Sequence, residues 1–310
     1  MLPKRVLDRP TNLSRKQARA DLGPLRDNLV KLGTLKRYIL AQLQFQLFIA
    51  ANCWPLALSM EELDMQLRAF VEQAWEEGEQ KALAADAISA AQHFLLTRRQ
   101  FPGAWKLLGV WGKLELPSRA PPMPWEIAMA LAGYALSIGR LDWAALVLTG
   151  HHCCLRTMEM LELTVDCVGL NQHYLGTITL MNTKIGQRHG QKEFVTIDSP
   201  FVGYWLHRAC VGLPPNSKIR QSSSASFRTF FHQGLQAVGV ASLNYKPYSL
   251  RRGGATADYV AHKDLARTML RGRWADIRTA KIYIVEGEAM LLALKLPQRL
   301  DLGKWTQLLV

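Results

Sequence analysis

Four prolines fall within nine residues at 116–124, LPSRAPPMP. Proline locks φ near −65° and carries no amide hydrogen, so neither a helix nor a central strand runs through such a stretch. The chain must therefore be built as two parts with an extended connection between them. Its 310 residues agree with this, because single hydrophobic cores stop growing near roughly 250–300 residues. The expected organisation is a basic arm over residues 1–30, an α-helical domain over 31–115, the linker at 116–124 and a second domain over 125–310.

The patterns on the two sides differ. Leu35, Ile39, Leu43 and Leu47 recur at four-residue steps, which predicts a helix. Ser59 and Glu62 fit a capping box at the start of the next helix. Residues 86–97 (DAISAAQHFLLT) are Ala-rich and predict a third, and AWKLLGVWGKLE follows a Phe-Pro-Gly break at 101–103. Beyond the linker a helix is expected from Trp125. Residues 174–180 (YLGTITL) and 193–197 (EFVTI) are rich in β-branched and aromatic types and predict two strands. The polar segment MNTKIGQRHGQK between them reads as a turn. Helical patterns return at 202–211, 224–238 and 249–261, with a one-sided apolar segment at 287–296 that Pro297 should end. The predicted fold class is mostly α with a small antiparallel β-sheet.

Several function classes lack support. No apolar run reaches the roughly 20 residues of a membrane-spanning helix. The first residues, MLPKRVLDRP, show no secretory h-region, and an intracellular protein is expected. Cys53, Cys153, Cys154, Cys167 and Cys210 are an odd number without a CxxC pair, so they read as reduced thiols. His151 and His152 precede Cys153 and Cys154, but neighbours on a helix point apart and do not converge on one metal ion. No metal and no cofactor is expected. There is no GxGxxG, Walker A, HExxH or GxSxG motif. The adjacent pairs Glu61-Glu62 and Glu76-Glu77 read as solvated helix positions.

Charge points elsewhere. The net charge is +13 and is clustered. Residues 1–31 hold eight Lys/Arg against three Asp, and residues 240–281 hold nine against three. Clustered positive charge suggests a polyanion, nucleic acid first. The second cluster contains YSLRRGGATADYVAHKDLARTMLRGRWADIRTAKIY, which starts at Tyr248, carries Trp274 nine residues before its end, and closes on Tyr283.

Three segments, in order, resemble the catalytic domain of the tyrosine recombinase (phage integrase) family. LRTMEMLEL at 155–163 resembles the L-R-x-x-E-x-x-x-L box and places Arg156. Lys184 stands in the turn between the two predicted strands, where the family carries a lysine. Tyr248, Arg251, Trp274 and Tyr283 then stand at the H-x-x-R, His/Trp and nucleophile positions. The likeness covers about residues 125–296. It implies a tyrosine-recombinase-like catalytic domain preceded by a helical DNA core-binding domain. The R-G-R-W sequence at 271–274 is closer to recombinases of eukaryotic mobile elements, such as cryptons, than to bacterial chromosome-dimer enzymes.

The resemblance implies a chemistry that these residue types suit. A free tyrosine has a pKa of about 10 and is a poor nucleophile at neutral pH; nearby cations favour its phenolate. Arg156 and Arg251 can each present a planar fork of N–H groups to the scissile phosphate and offset charge in a pentacoordinate transition state. Tyr283 would attack phosphorus and leave a 3′-phosphotyrosine. Lys184 would protonate the leaving 5′-oxygen. Trp274 would pack beside the site with its indole N–H able to donate to phosphate. Neither metal nor ATP is needed.

Tyr248 departs from the family's His or Lys. A tyrosine donates a hydrogen bond but does not shuttle protons near neutrality, so it either takes part as a donor or packs under the helix that follows. Arg252 and Arg273 flank the site and are expected to touch neighbouring phosphates, with Lys36 and Arg37 on the first long helix as further DNA contacts. The implied partner is double-stranded DNA, bound by a homotetramer on paired sites, with no membrane. The compartment would be the nucleus in a eukaryote, or the cytoplasm and nucleoid in a bacterium. The competing readings are a catalytically inactive, domesticated DNA-binding relative and a type IB topoisomerase.

Overall fold

A computed structural model of the chain describes residues 15–17, 19–20, 23–116, 118–180, 192–296 and 301–310. The chain divides into two compact units, Met1–Ser118 and Arg119–Val310. Among the described residues the fold is mostly α with one small antiparallel sheet. No described helix is long and apolar enough to cross a membrane.

The first unit contains α1 (Leu32–Ala51), α2 (Met60–Glu76), α3 (Lys81–Phe94) and α4 (Pro102–Leu114). The four-residue stripe that signals α1 is not its buried face. Ile39, Leu43 and Leu47 are exposed, while Ala41, Phe45, Phe48 and Ile49 enter the core. Apolar residues surround most of this helix, so spacing alone cannot choose the inward side. Phe45 and Phe48 each meet Phe70 of α2 edge-on with ring centroids 5.5 Å apart. Ser59 caps α2 by accepting from the Glu62 amide at 3.1 Å. The Glu62 carboxylate returns to the Leu58 amide at 2.7 Å, one residue before the position of a strict capping box. Helix α3 starts before Asp86, which pairs with Arg37 at 2.9 Å in mid-helix. Asp64 of α2 accepts from the amides of Gly103 and Ala104 at 3.1 and 3.0 Å, satisfying the first turn of α4.

The second unit is centred on α5 (Trp125–Ser137) and α6 (Leu141–His152). The short helix α7 (Thr157–Leu161) leads into β1 (Val168–Leu170), β2 (Gly176–Leu180) and β3 (Glu193–Ile197). The strands run antiparallel in the order β1-β2-β3. Val168 lies opposite Ile178, and Ile178 opposite Val195. Alternation puts Ile178, Leu180, Val195 and Ile197 into the core. β1 has only three residues with a central glycine, too little to signal a strand. The predicted turn after β2 lies outside the described residues.

Helices α8 (Pro200–Cys210) and α9 (Ser224–Val238) complete the core, with Phe227, Phe230 and Phe231 buried from α9. Then come α10 (Pro247–His262), α11 (Leu265–Gly272), α12 (Ile277–Tyr283), α13 (Glu286–Leu294) and α14 (Gly303–Thr306). Helix α13 ends before Leu296; it buries Leu292 but leaves Met290, Leu291 and Leu294 exposed. Pro297, expected to end it, lies outside the described residues.

Candidate active site

Two glycines let α10 sink deep into the second unit. A Cβ on Gly253 would lie 1.9 Å from the Met123 carbonyl, and one on Gly254 would lie 1.9 Å from the His151 carbonyl. No other residue type permits that approach. It carries Arg251 wholly inside, at 0% exposure. Its Nη1 donates to the Cys154 carbonyl and its Nη2 donates to the Gly272 carbonyl at 2.7 Å. The guanidinium therefore ties α10 to the segment before α7 and to the end of α11.

Arg156 sits just before α7. Glu159, three residues later, accepts from the Arg156 amide at 2.9 Å and from its guanidinium. The same carboxylate accepts from Arg273 Nη2 at 2.6 Å. Burial alone would raise the pKa of Glu159, but Arg273 and then Arg156 outweigh it and hold the carboxyl below its ordinary value. Burial would likewise lower that of Arg156, but Glu159, Glu193 and Tyr283 overcome it and raise it. Arg251 is shifted the other way. Its burial, followed by the like charges of Arg273 and Arg156, lowers its pKa. Arg156 and Arg273 thus share one carboxylate, and both act on Arg251 as like charges.

The tyrosines close this cluster. Tyr283 is the last residue of α12, where Thr256 of α10 donates to its backbone carbonyl at 3.0 Å. Trp274 is buried against it, with ring centroids 4.6 Å apart. This fold-back requires Gly272, where a Cβ would lie 1.9 Å from the indole. The Arg251 guanidinium carbon stands 4.8 Å from the Trp274 ring centroid and 5.1 Å from that of Tyr283, within cation–π range. Tyr248, in the first turn of α10, donates a hydrogen bond to the Tyr283 hydroxyl. Burial first, and then this bond, raises the Tyr248 pKa, so its hydroxyl keeps its proton.

Arg156, Tyr248, Arg251, Trp274 and Tyr283 are thus brought together, and Arg273 joins them. Lys184 lies outside the described residues. Arg252 does not flank the cluster as an exposed cation. It is 2% exposed, and its guanidinium donates to the Ala120 carbonyl, to the Ile282 carbonyl at 3.3 Å and to Glu288 at 3.0 Å. It braces α10 against the chain before α5 and against α12 and α13. Lys36 and Arg37 are exposed on α1 in the first unit. Sequence reasoning missed Glu193, and it did not see that Glu159, placed with Arg156 in the R-x-x-E box, also holds Arg273. Glu159 carried a signal in its i+3 spacing from Arg156; Glu193, at the start of β3, carried none.

The cluster is rich in donors. Arg251 Nε, Trp274 Nε1, and Arg273 Nε and Nη1 are buried nitrogens without hydrogen-bond partners among the described residues. Orphaned buried donors cost roughly 1–3 kcal/mol each, and this set suits an anionic oxygen. By contrast, a polar cavity of about 390 Å³ lined by His151, His152, Asp198, Asp258, His262, Arg267 and Arg271 contains none of these residues. Its arginines are already neutralised: Arg271 pairs with Asp198 at 2.9 Å, and Arg267 meets Asp258 at 3.5 Å.

No family model matches the sequence, and no curated protein is similar to it. Solved structures do share its fold. A XerH site-specific recombinase bound to its difH substrate matches with a TM-score of 0.57 at 14% identity, over 84% of this chain and 79% of that one. A Tn1549 transposon integrase in complex with transposon right-end DNA matches with a TM-score of 0.55 at 12% identity, over 91% and 98%. A lambda integrase dimer bound to a COC′ core site matches with a TM-score of 0.53 at 13% identity, over 88% and 76%. At such identities the likeness is one of fold. The chain has the fold of the tyrosine recombinases and integrases, as the resemblance implied.

Proposed function

We propose that this chain binds double-stranded DNA and cuts and rejoins it as a site-specific recombinase, through a covalent bond between Tyr283 and a 3′-phosphate. The observation that carries this reading is the packing of the Tyr283 ring against Arg251 and Trp274 with its hydroxyl bonded to Tyr248, in a cluster where four buried nitrogens lack acceptors among the described residues. The fold neighbours are described as bound to DNA, which supports the same partner.

In the reaction proposed, Tyr283 Oη forms a bond to phosphorus and the bond from phosphorus to the 5′-oxygen breaks. The phenol proton leaves to water. The 5′-oxygen takes a proton from Lys184 and becomes a hydroxyl. The guanidinium groups of Arg156 and Arg251 offset the charge that grows on the non-bridging oxygens, in a setting already organised before the charge appears. Tyr248 stays protonated and donates to Tyr283 Oη, which stabilises phenolate character there when the tyrosine attacks and again when it leaves. The phosphotyrosine preserves the energy of the phosphodiester, so rejoining needs no nucleotide. Exchange of strands between two duplexes calls for four such sites, hence a homotetramer on paired sites.

The test is a set of nicked suicide duplexes covering the DNA that flanks the chain's own coding sequence. A covalent protein–DNA adduct is expected with the wild type and none with Tyr283→Phe. Absence of adduct on every duplex would sink the enzymatic reading. An adduct that survives Tyr283→Phe would move the nucleophile elsewhere. Salt-dependent binding without an adduct would support a non-catalytic DNA-binding protein, the reading that Tyr248 in place of an imidazole keeps in view.

A further inference from the structure

Arg273 occupies a position that its residue type does not favour. It follows the last residue of α11 with φ of 56°, in the left-handed region where helices commonly end on glycine. A side chain there is strained by the contact of its Cβ with the following carbonyl. The long arginine side chain is also 7% exposed, so its charge has been taken out of water. What it meets inside does not use it fully. Nη2 donates to Glu159 at 2.6 Å. Nε lies 3.5 Å from Glu193 Oε2, an ion-pair distance without hydrogen-bond geometry. Among the described residues Nη1 has no acceptor, and Nε and Glu193 Oε2 leave each other without a hydrogen bond. A strained backbone and a half-satisfied buried cation both cost stability, and their coincidence at one residue points to function.

The local charge count agrees. Arg156, Arg251 and Arg273 supply three positive charges, and Glu159 and Glu193 supply two negative ones. Among the described residues one positive charge remains, so the cluster attracts an anion. Arg271, the next cation along the chain, is not part of the count because Asp198 accepts from two of its nitrogens at 2.9 Å.

We infer, on the reading that Tyr283 acts on a phosphodiester, that Arg273 is a third guanidinium of the same phosphate site, held in place by Glu159 and Glu193. Its Nη1 donates to the phosphate that Arg156 and Arg251 clamp, and not to a neighbouring phosphate along the duplex. Glu159 serves two arginines at once and so sets the spacing between their forks.

Position 273 offers an unusually clean test, because glycine relieves the backbone there while removing the charge. Wild type, Arg273→Gly and Arg273→Lys, each as the full chain, are titrated against a fluorescent 40-base-pair duplex of mixed sequence over a salt series. Melting by circular dichroism reports whether each variant is folded. The logarithm of the binding constant falls against the logarithm of salt in proportion to the phosphates neutralised. Arg273→Gly is expected to fold and to lose about one from that slope. Arg273→Lys is expected to keep the slope and to form the covalent adduct at least ~10-fold more slowly, since an ammonium cannot reproduce a fork. A folded Arg273→Gly with the wild-type slope would overturn the inference and leave the proposed function standing. Wild-type binding without salt dependence would overturn the proposed function itself. Should Arg273→Gly not fold, Arg273→Lys decides: adduct formation at the wild-type rate leaves Arg273 as a counter-ion of the two glutamates and nothing more.

Discussion

Tyr248 donates its hydroxyl hydrogen bond to the hydroxyl of Tyr283, whose ring lies over the buried Arg251. A histidine in place of Tyr248 would bring a group that titrates near neutrality. A phenol whose pKa is raised by burial, and then by its bond to Tyr283, brings a donor that does not titrate over the physiological range. The consequence is that residue 248 adds no group beside Tyr283 that changes protonation from mildly acidic to mildly basic pH.

Adduct formation should therefore show no acidic limb from residue 248. Single-turnover rates on a suicide duplex between about pH 5.5 and 8.5 should be flat for the wild type, apart from any limb due to Lys184. Tyr248→Phe removes one donor to the nucleophile's oxygen and should slow the reaction roughly 10-fold, equivalent to about 1.4 kcal/mol. Tyr248→His should introduce a new limb with a midpoint near the ordinary imidazole value of about 6.5. A wild-type limb at that midpoint that disappears in Tyr248→Phe would contradict the donor role.

Glu159 holds two arginines by one carboxylate and is itself almost fully buried. Glu159→Ala would leave Arg156 and Arg273 without their shared partner. Breaking one side of a buried ion pair typically costs about 3–5 kcal/mol, so the urea midpoint should fall clearly. Glu159→Gln keeps the shape and one acceptor oxygen and should cost less. Equal midpoints for wild type and Glu159→Ala would show that the carboxylate is not what organises the arginines.

The helical pattern and the hairpin strands were legible because 3.6- and 2-residue periodicities survive without knowledge of the partner surface. So was the convergence of Arg156, Arg251, Trp274 and Tyr283, through two segments in a known order. Direction was not legible. Arg251 and Arg252 are adjacent arginines, yet one lies beneath Tyr283 and the other reaches the Ala120 and Ile282 carbonyls. Only the contacts of α10 with elements distant in sequence decide which arginine faces the site. The same holds for α1, whose buried Phe45 and Phe48 and exposed Ile39 and Leu43 are equally apolar.

The thiols should be silent in the folded chain except at Cys53. Cys153 and Cys154 are buried, and that burial pushes their pKa values up to about 12 and about 11. The thiolate is the reactive form. Cys53 is exposed. Labelling with a thiol reagent at neutral pH, read by mass, should place the first label on Cys53. Labels on Cys153 and Cys154 should follow unfolding in denaturant. Rapid native labelling of Cys154 would contradict the packing that lets its carbonyl receive Arg251.

Two neighbouring imidazoles should make the fold sensitive to mild acid. His151 is buried with Nε2 3.0 Å from the Met123 carbonyl, and burial lowers its pKa to about 4. His152 is lowered to about 4 as well, by burial and then by Arg271. The nearby Asp198, 2.8 Å from His152, does not reverse this, because Arg271 already engages that carboxylate. Both folded-state values lie below the unfolded value of about 6.5. Between these limits the unfolded chain binds more protons, so stability is fully present above about pH 6.5 and declines as pH falls towards 4. A fall from 6.5 to about 4 corresponds to at most roughly 3 kcal/mol per imidazole. Urea midpoints measured from pH 7.5 to 4.5 should drop most steeply below pH 6.5, and His151→Gln with His152→Gln should flatten that drop. A wild-type midpoint constant across this window would contradict the burial of the two imidazoles in the neutral form.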